Sequence, residues 1–412
     1  MPIENAHRRY LAELPNNWSI SEVRSLGSIV GGSTPSRAVS RFWNGNIPWV
    51  TPGEMTALGG AKFLNDTKER ITRAGYESCG TRLLPPGSLL ITTRATLGLV
   101  ALSGSEVSTN QGFKSLVFCR DNYPDFYFHL FHRLKPEMER LGSGTTFLEI
   151  SAGDFGRITV PVPPPSEQRA IAAVLDTIDA AIQKTEQIIA KLQQVKQGLL
   201  HELLTRGIDD NGELRDPERH PEQFQDSPLG RIPKGWEVKP FGKCFWLQRG
   251  FDITVAEQRT GNVPVVSSSG ISSYHDKPMV EGPGVVTGRK GKLGAVYYVS
   301  VPFWPHDTSL WVKDFFGNDR EFACLFIGSF RLERFDAATS VPTLNRNTVH
   351  PLLIALPRLA EQRLIVEKQQ ALDIRIAAEN GEHSKLSALK SSLCDDLLTG
   401  RVRTTSLPEF AA

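Results

Sequence analysis

The sequence predicts an α+β fold in which two globular domains alternate with two long helices that pair as an antiparallel coiled coil. Three observations predict it. A long segment occurs twice, each copy follows a mixed stretch rich in Gly and Pro, and each copy has the apolar spacing of a coiled-coil helix. The order domain, helix, domain, helix indicates an internal repeat with a pseudo-two-fold relationship.

The repeated segment spans residues 166–205 and 360–399, which align without a gap at a constant offset of 194. The two copies share 13 identical positions in 40, whereas composition alone gives about two or three. Both copies open on Glu-Gln-Arg and close on Leu-Leu-Thr. Duplication is therefore the simplest explanation of the segment.

Apolar residues recur at heptad spacing along both copies, which predicts a seam between paired helices. The seam residues are Ile171, Ile178, Leu192 and Leu199 in the first copy and Leu372, Leu386 and Leu393 in the second. A helix of about 37 residues would rise roughly 55 Å. Two independent helices, each packed on its own domain, remain the alternative. A bend is expected near Gly381.

Pro and Gly residues mark the predicted domain boundaries. A Pro-rich run at 161–165 ends the first domain, and Gly207 and Gly400 suit helix C-termini. In the first domain, strands are expected at 88–93 and 114–118, and a helix near 124–140. The predicted segments are a first domain at 1–160, a helix at 161–206, an acidic connector loop at 207–235, a second domain at 236–357, a helix at 358–401 and a tail at 402–412.

Length and composition are those of a multidomain globular protein. The chain has 412 residues, of which 40% are hydrophobic and 22% charged. It has no long apolar run that would predict a membrane span, and its N-terminus lacks the apolar core of a signal peptide. Its 5 cysteines are far apart and form no C-x-x-C pair. We therefore expect a cytoplasmic protein with no disulfide framework or zinc site.

Charge is distributed unevenly along the chain. Residues 1–160 carry a net charge of +3 and residues 228–357 a net charge of +4, whereas residues 206–227 carry −4. Mildly basic domains joined by an acidic connector are compatible with a polyanionic partner.

Each domain contains a basic turn after an apolar strand. In the first domain the turn carries Arg94 and Thr96, and in the second it carries Arg289, Lys290 and Lys292. Such turns can approach a phosphate backbone or place a guanidinium on a guanine edge, and a solvated hairpin is the alternative. The second turn lacks the G-x4-G-K-[ST] spacing, which argues against a nucleotide-binding loop.

Polar residues follow each basic turn along the chain. They are Asn110, Gln111 and Lys114 in the first domain, and His306 and Asp307 in the second. Asn and Gln suit adenine recognition, and His and Asp can address other base edges. These residues fit strand-end caps equally well.

The sequence contains no recognised catalytic motif. It lacks G-x-G-x-x-G after a strand, H-E-x-x-H, and the Asp/Asn-Pro-Pro-aromatic tetrapeptide of amino-methyltransferases. His129 and His132 lie among aromatic residues, which favours a packed helix over a ligand pair, and no nucleophile accompanies His306 and Asp307. We therefore predict no catalytic residue and no metal site. An autonomous nuclease or methyltransferase is disfavoured.

The chain resembles the specificity subunit of bacterial type I restriction–modification enzymes. The resemblance rests on the Pro-rich exits into Glu-Gln-Arg at 163–169 and 356–363, each followed by a long helix ending Leu-Leu-Thr. The run Ile-Pro-Trp-Val-Thr-Pro at 47–52 and the runs at 110–113, 288–291 and 304–307 are also similar to that family. Ala360, where the first copy has a capping Ser166, and Gly381 depart from the pattern.

The resemblance implies two target recognition domains, each binding half of a split double-stranded DNA sequence, with the helices as spacer and docking site. It implies two modification subunits that carry S-adenosylmethionine, and restriction subunits that use ATP and Mg²⁺. No cofactor is expected on this chain, and no membrane partner. The residues listed above in the two domains are the candidate DNA contacts, and the seam residues are the candidate docking residues. The alternative is a coiled-coil scaffold whose domains bind other proteins.

Overall fold

The computed structural model describes residues 11, 13–94, 96–143, 148–336 and 341–404. The chain divides into two compact units. The first comprises Met1–Glu186 with Glu382–Ala412, and the second Gln187–Gly381. Each unit therefore contains one globular domain and a part of both long helices. The predicted segments treated the helices as separate from the domains.

The first domain and the helix that follows it contain ten strands and seven α-helices among the described residues. The strands are β1 (Ser19–Glu22), β2 (Gly27–Gly31), β3 (Trp43–Val50), β4 (Phe63–Leu64), β5 (Arg70–Ile71), β6 (Leu89–Ile91), β7 (Val100–Ser103), β8 (Ser108–Thr109), β9 (Lys114–Phe118) and β10 (Thr159–Val162). The helices are α1 (Val23–Leu26), α2 (Pro52–Ala57), α3 (Arg73–Glu77), α4 (Pro124–Arg133), α5 (Lys135–Leu141), α6 (Ala152–Gly156) and the long α7 (Pro165–Thr205).

The rest of the described chain contains eleven strands and three α-helices. The strands are β11 (Phe224–Ser227), β12 (Gly230–Pro233), β13 (Glu237–Pro240), β14 (Trp246–Arg249), β15 (Val263–Ser267), β16 (Gly270–His275), β17 (Gly284–Gly288), β18 (Val296–Val299), β19 (Trp304–Pro305), β20 (Ser309–Asp314) and β21 (Leu353–Leu356). The helices are α8 (Arg320–Ser329), α9 (Arg346–Val349) and the long α10 (Leu359–Leu397). Short 3-10 helices lie at Ser40–Phe42, Pro221–Gln223, Phe241–Lys243 and Leu332–Phe335.

The two domains share a sheet topology. The first has a sheet of order β2-β9-β6-β7-β4 and a smaller one of order β5-β3-β8. The second has β14-β20-β17-β18 and β16-β15-β19. In both, the smaller sheet contains a parallel pair (β3 with β8, β15 with β19), and a separate two-stranded sheet (β1-β10, β13-β21) is present. The larger sheet of the first domain has one additional strand, β4, which pairs with β7 in parallel. The duplication thus extends through domain interiors whose sequences have diverged.

Each unit has a main hydrophobic core that includes residues of both long helices. In the first unit, Ile171 and Leu175 of α7 and Leu397 of α10 join the aromatic face of α4. In the second unit, Leu203 of α7 and Ile365 of α10 join the corresponding core. Burial of these side chains attaches each domain to the long helices, because removing the apolar surfaces of domain and helix from water is favourable.

The long helices run antiparallel within each unit. Asp179 pairs with Lys390 and Glu186 with His383 in the first unit, and Lys196 pairs with Asp373 in the second. In each pair the two residue numbers add to the same value, as expected for two helices of opposite direction. The Asp–Lys pairs occupy repeat-equivalent positions. The predicted fold class, including the antiparallel pairing, is confirmed.

The seam residues are buried to different degrees. Ile171 and Leu192 are buried, whereas the remaining five, which are Ile178, Leu199, Leu372, Leu386 and Leu393, are half-buried. Helix α10 continues without interruption through Gly381, where an added Cβ would meet no atom within 4 Å. The helix is therefore continuous at the position where a bend was expected.

The repeated Glu fixes each domain to its helix. Glu167 accepts hydrogen bonds from Trp18 Nε1 (2.8 Å) and from Arg403 Nη2 (2.8 Å). Glu361 accepts from Trp236 Nε1 (3.2 Å) and from Arg215 Nη2 (3.3 Å). Charge-assisted bonds of this kind satisfy a buried carboxylate.

The repeated Gln joins the domain to the Pro-rich exit in the same way in both copies. Gln168 accepts from the Tyr123 amide (2.8 Å) and donates to the Pro163 carbonyl (2.9 Å). Gln362 accepts from the Asp319 amide (2.9 Å) and donates to the Pro357 carbonyl (2.9 Å). Both amide groups are therefore used structurally, which explains their recurrence.

Two features differ from the predicted segments. The connector is not a loop throughout, because β11 and β12 form an antiparallel hairpin. Its turn is stabilised where Ser227 Oγ accepts from the Leu229 amide (3.1 Å) and Gly230 takes a positive φ of 90°. In addition, the segment predicted as a tail supplies Arg403 to the first domain–helix joint. Residues 405–412 lie outside the described residues.

Candidate nucleic-acid interface

In the first domain, the basic turn after β6 contacts two other segments through its main chain. The Thr93 amide donates to the Gly112 carbonyl (2.8 Å), and the Ile150 amide donates to the Thr93 carbonyl (3.0 Å). Arg94 and Glu149 form an antiparallel bridge. The sheet therefore brings three distant segments together.

The second domain repeats this arrangement after β17. The Arg289 amide donates to the Thr308 carbonyl (2.9 Å), and the Leu344 amide donates to the Arg289 carbonyl (2.8 Å). Lys290 and Thr343 form the antiparallel bridge. The sequence-predicted basic turns and downstream polar runs thus converge in each domain.

A glycine sits at the same place in both arrangements. A Cβ on Gly32 would lie 2.1 Å from the Asn110 carbonyl oxygen, and a Cβ on Gly250 would lie 2.1 Å from the His306 carbonyl oxygen. No other residue allows so close an approach of two backbones. The two domains therefore share a main-chain frame, which we call the shared frame: residues 32–34, 93–94, 110–112 and 149–150 in the first, and 250–252, 289–290, 306–308 and 343–344 in the second.

Asn110 and His306 occupy equivalent positions and cap equivalent turns. Asn110 Oδ1 accepts from the Gly112 amide (2.9 Å), and His306 Nδ1 accepts from the Thr308 amide (3.3 Å). The alternative assignment of these residues as strand-end caps is therefore supported. The side chains retain Nδ2 and Nε2 as further polar groups.

Gln111 and Asp307 are the next equivalent pair. Gln111 is exposed, and its Oε1 accepts from the Thr34 hydroxyl. Asp307 is half-buried, and Asp252, the residue equivalent to Thr34, lies beside it, with ligand atoms of both within 4.8 Å. The same two frame positions thus hold a hydroxyl and an amide in one domain, and two carboxylates in the other.

Two arginines hold Asp307. Arg249 Nη2 lies 2.9 Å from Asp307 Oδ2, and Arg289 Nη1 donates to the Asp307 carbonyl (2.8 Å). The Arg289 side chain is only 18% exposed. Burial, followed by repulsion from Arg249, lowers the pKa of Arg289 from its usual value. Arg289 is therefore oriented toward the protein rather than toward solvent.

The remaining predicted residues are more open. Arg94, Thr96, Lys290 and Lys292 are exposed. Glu149 lies 3.6 Å from Arg94 Nε and 3.8 Å from Lys114 Nζ, so its carboxylate partly neutralises both cations. Lys290 and Lys292 are left as the exposed cations of the second basic turn. Which of these side chains contact DNA stays a prediction.

A metal at this place in the second domain is disfavoured by charge. The ligand atoms of Asp252, His306 and Asp307 lie within 4.8 Å of one another, which is a possible metal spacing. Arg249 and Arg289 both lie within 4 Å of the Asp307 carboxylate and would repel a cation.

Four residues of the shared frame, and Arg249, which adjoins it, were not predicted from the sequence. Thr34, Glu149, Arg249, Asp252 and Thr343 lie far in sequence from the motifs they adjoin. The only available signal was the Gly that precedes Thr34 and Asp252 by two positions in each domain.

Among the described residues, no helix combines the length and apolar content needed to cross a bilayer.

Comparison with known proteins connects this architecture to one family. A family model for the type I restriction modification DNA specificity domain matches residues 15–194 and 233–388. The MjaVIII specificity subunit of Methanocaldococcus jannaschii is 23% identical over 98% of this chain and 97% of that protein. The MjaIX specificity subunit of the same organism is 28% identical over 58% of this chain, and the match spans 54% of that relative's length.

Solved structures show the same fold. A chain from a structure concerned with complex assembly and conformational transition of the type I R-M system has a TM-score of 0.63 at 15% identity, covering 94% of this chain and 99% of that one. The S subunit from M. genitalium has a TM-score of 0.55 at 16% identity, covering 93% and 97%. Because the family model matches most of the sequence, in two copies, the chain belongs to the type I restriction–modification DNA specificity family.

Proposed function

We propose that this chain is the sequence-specific DNA-binding subunit of a type I restriction–modification complex. In this proposal each globular domain recognises one half of a bipartite double-stranded target. The observation that carries the proposal is the shared frame, which holds different polar side chains in the two domains. A common main chain with different side chains suits two modules that recognise different sequences in the same manner.

Two linked domains suit such a target energetically. One base pair discriminates by only about 1–3 kcal/mol, so a short half-site cannot specify a genomic position. Joining two domains makes the second binding event intramolecular and strengthens the complex without further contacts.

The helix pair is the proposed spacer and docking site for two modification subunits. The repeat-equivalent Asp–Lys pairs support this role, because a helix pair whose two halves repeat the same contacts suits two identical partners. S-adenosylmethionine would be held by those subunits, and ATP and Mg²⁺ by restriction subunits. The chain itself would carry no catalytic residue, and the complex would act in the cytoplasm.

A scaffold whose domains bind other proteins is the competing function. It predicts no sequence preference on DNA. Mapping N6-methyladenine in cells that express this chain with its modification partner separates the two, because only the proposed function yields one bipartite motif.

The spacer role is tested by inserting one heptad into both helices, at 186/187 and at 382/383, where paired helix positions lie opposite each other. Seven residues add about 10 Å, or roughly three base pairs. We expect a longer unread spacer between unchanged half-sites. An unchanged spacer in a complex that still assembles would refute the role, and an insertion in one helix alone, which breaks the pairing, is the control.

A further inference from the structure

The shared frame holds one pair of neighbouring side chains whose chemistry differs between the domains. In the first domain the pair is Thr34 and Gln111, joined by a hydrogen bond. In the second it is Asp252 and Asp307. A glycine allows the close backbone contact at each pair. Gly32 packs against the Asn110 carbonyl, which precedes Gln111, and Gly250 packs against the His306 carbonyl, which precedes Asp307. The backbone is thus alike while the hydrogen-bonding groups are not.

Building on the proposed function, we infer that these pairs determine base specificity, with Gln111 and Asp307 as the side chains that contact a base edge in the major groove. The residues next to the pair in the frame are occupied by hydrogen bonds within the protein. Asn110 and His306 cap turns, and Arg289 is bound to the Asp307 carbonyl. The pair therefore has polar atoms that the frame itself does not need.

The second pair offers only acceptors. Asp252 is exposed, and each Asp307 oxygen has lone pairs beyond those used by Arg249. Carboxylates accept from exocyclic amino groups, so this pair would select a cytosine N4 or adenine N6 amino group. Guanine and thymine present carbonyl acceptors at the corresponding places and would be rejected, because two acceptors face each other with no proton between them.

The first pair offers donors as well. Gln111 uses Oε1 to accept from Thr34, which leaves its Nε2 group as a donor. Such a group can address a base acceptor such as N7 or O6. The two domains would therefore favour complementary classes of base edge at the equivalent place in their half-sites.

Arg249 and Arg289 act as positioning residues in this scheme. Arg249 bonds the Asp307 carboxylate at 2.9 Å, and Arg289 bonds its carbonyl at 2.8 Å. Their charges also offset the repulsion between Asp252 and Asp307, which lets both carboxylates lie close together.

The test compares Asp307→Asn with Lys292→Met in the full chain, assembled with its modification partner. Each complex selects duplexes from a library randomised over both half-sites, and bound sequences are counted. Asp307→Asn should lower discrimination at one base pair of the second half-site by about tenfold to a hundredfold, with the first half-site unchanged. Lys292→Met, an exposed cation outside the pair, should weaken binding evenly across sequences.

Asp252→Asn provides a second variant, because this exposed carboxylate is not part of the core. It should change preference at the same or the neighbouring base pair. Unchanged preference in both Asn variants, with native affinity for the selected target, would overturn the inference while the proposed function stands. A native complex that selects no sequence at all would instead refute the proposed function.

Discussion

In each unit a helix of the globular domain contacts a long helix, α4 with α7 in the first unit and α8 with α10 in the second. The two contacts occupy equivalent positions but differ in charge. In the first unit, Lys62 lies between Asp125 of α4 and Asp176 of α7, and His129 Nε2 lies 2.8 Å from Asp176 Oδ1. In the second unit, the equivalent positions hold Glu321 and Gln370, which bond each other directly. The same contact between a domain helix and a long helix is made by an ionic cluster in one copy and by a single amide–carboxylate bond in the other.

A buried position of the long helices next to this contact also differs between the two units. Leu175 of α7 is fully buried in the first unit. Its repeat equivalent in α10 is Gln369, which is 1% exposed and whose side-chain atoms have no hydrogen-bond partner among the described residues. The contact between domain helix and long helix is therefore polar in both units, whereas the buried position next to it is apolar in the first unit and polar in the second. After duplication, each copy has retained the contact between domain helix and long helix while the side chains that make it have changed.

The largest expected effect comes from exchanging the buried residues at the repeat-equivalent positions 175 and 369. Leu175→Gln should destabilise the first unit by about 3–4 kcal/mol, because it buries an amide and removes apolar packing. Gln369→Leu should stabilise the second unit by about 1 kcal/mol, because it removes a buried unpaired amide. Hydrogen–deuterium exchange, followed separately over peptides of each unit, measures both changes. No stabilisation by Gln369→Leu would contradict the comparison, because it would mean that the buried amide of Gln369 carries no penalty.

The next effect concerns the ionic cluster. Lys62→Met keeps the aliphatic stem, and removes the cation from between two carboxylates at a site where Lys62 is 17% exposed. The first unit should lose about 2 kcal/mol, less than a fully buried pair would cost. Chemical denaturation reports the loss. Gln370→Met in the second unit is the matched control and should change stability by less than about 1 kcal/mol. A similar loss from both would show that the charges add nothing.

The smallest effect is a pH dependence confined to the first unit. Although burial opposes it, hydrogen bonds from His129 and Lys62 hold the pKa of Asp176 below its usual range. A depressed folded-state pKa contributes stability above the unfolded value of about 3.9, and this stability is lost as pH falls through the folded pKa. The stability difference between the native chain and Asp176→Asn should therefore shrink on acidification below about pH 4. A constant difference in denaturation midpoints would contradict the assignment.

The fold was predictable to the extent that local spacing specifies it. Heptad spacing and the Glu-Gln-Arg repeat predicted the long helices and their pairing, and β9 lies at the expected residues. The hairpin in the connector was missed because its apolar anchors, Phe224 and Ile232, are too few to form a periodic pattern. The role of Arg403 was missed because its counterpart Arg215 lies at a different offset from the repeat.

The candidate site was predictable only in part. The basic turns and the polar runs at 110–111 and 306–307 stood out in the sequence, and the structure brings each turn next to its run. Thr34 and Asp252 carry no motif, and they adjoin Gln111 and Asp307 only because strand pairing and a close glycine contact place them there.

The sequence by itself determined the order of domains and helices and the duplication, because periodic apolar residues and helix-ending Gly and Pro act over a few turns of chain. It predicted the helix pairing, which the ion pairs between the two helices established. The tertiary structure decided which polar side chains share a site and which form turn caps and ion pairs within the protein. That outcome depends on sheet register and on contacts between residues far apart in the chain, which no local pattern encodes.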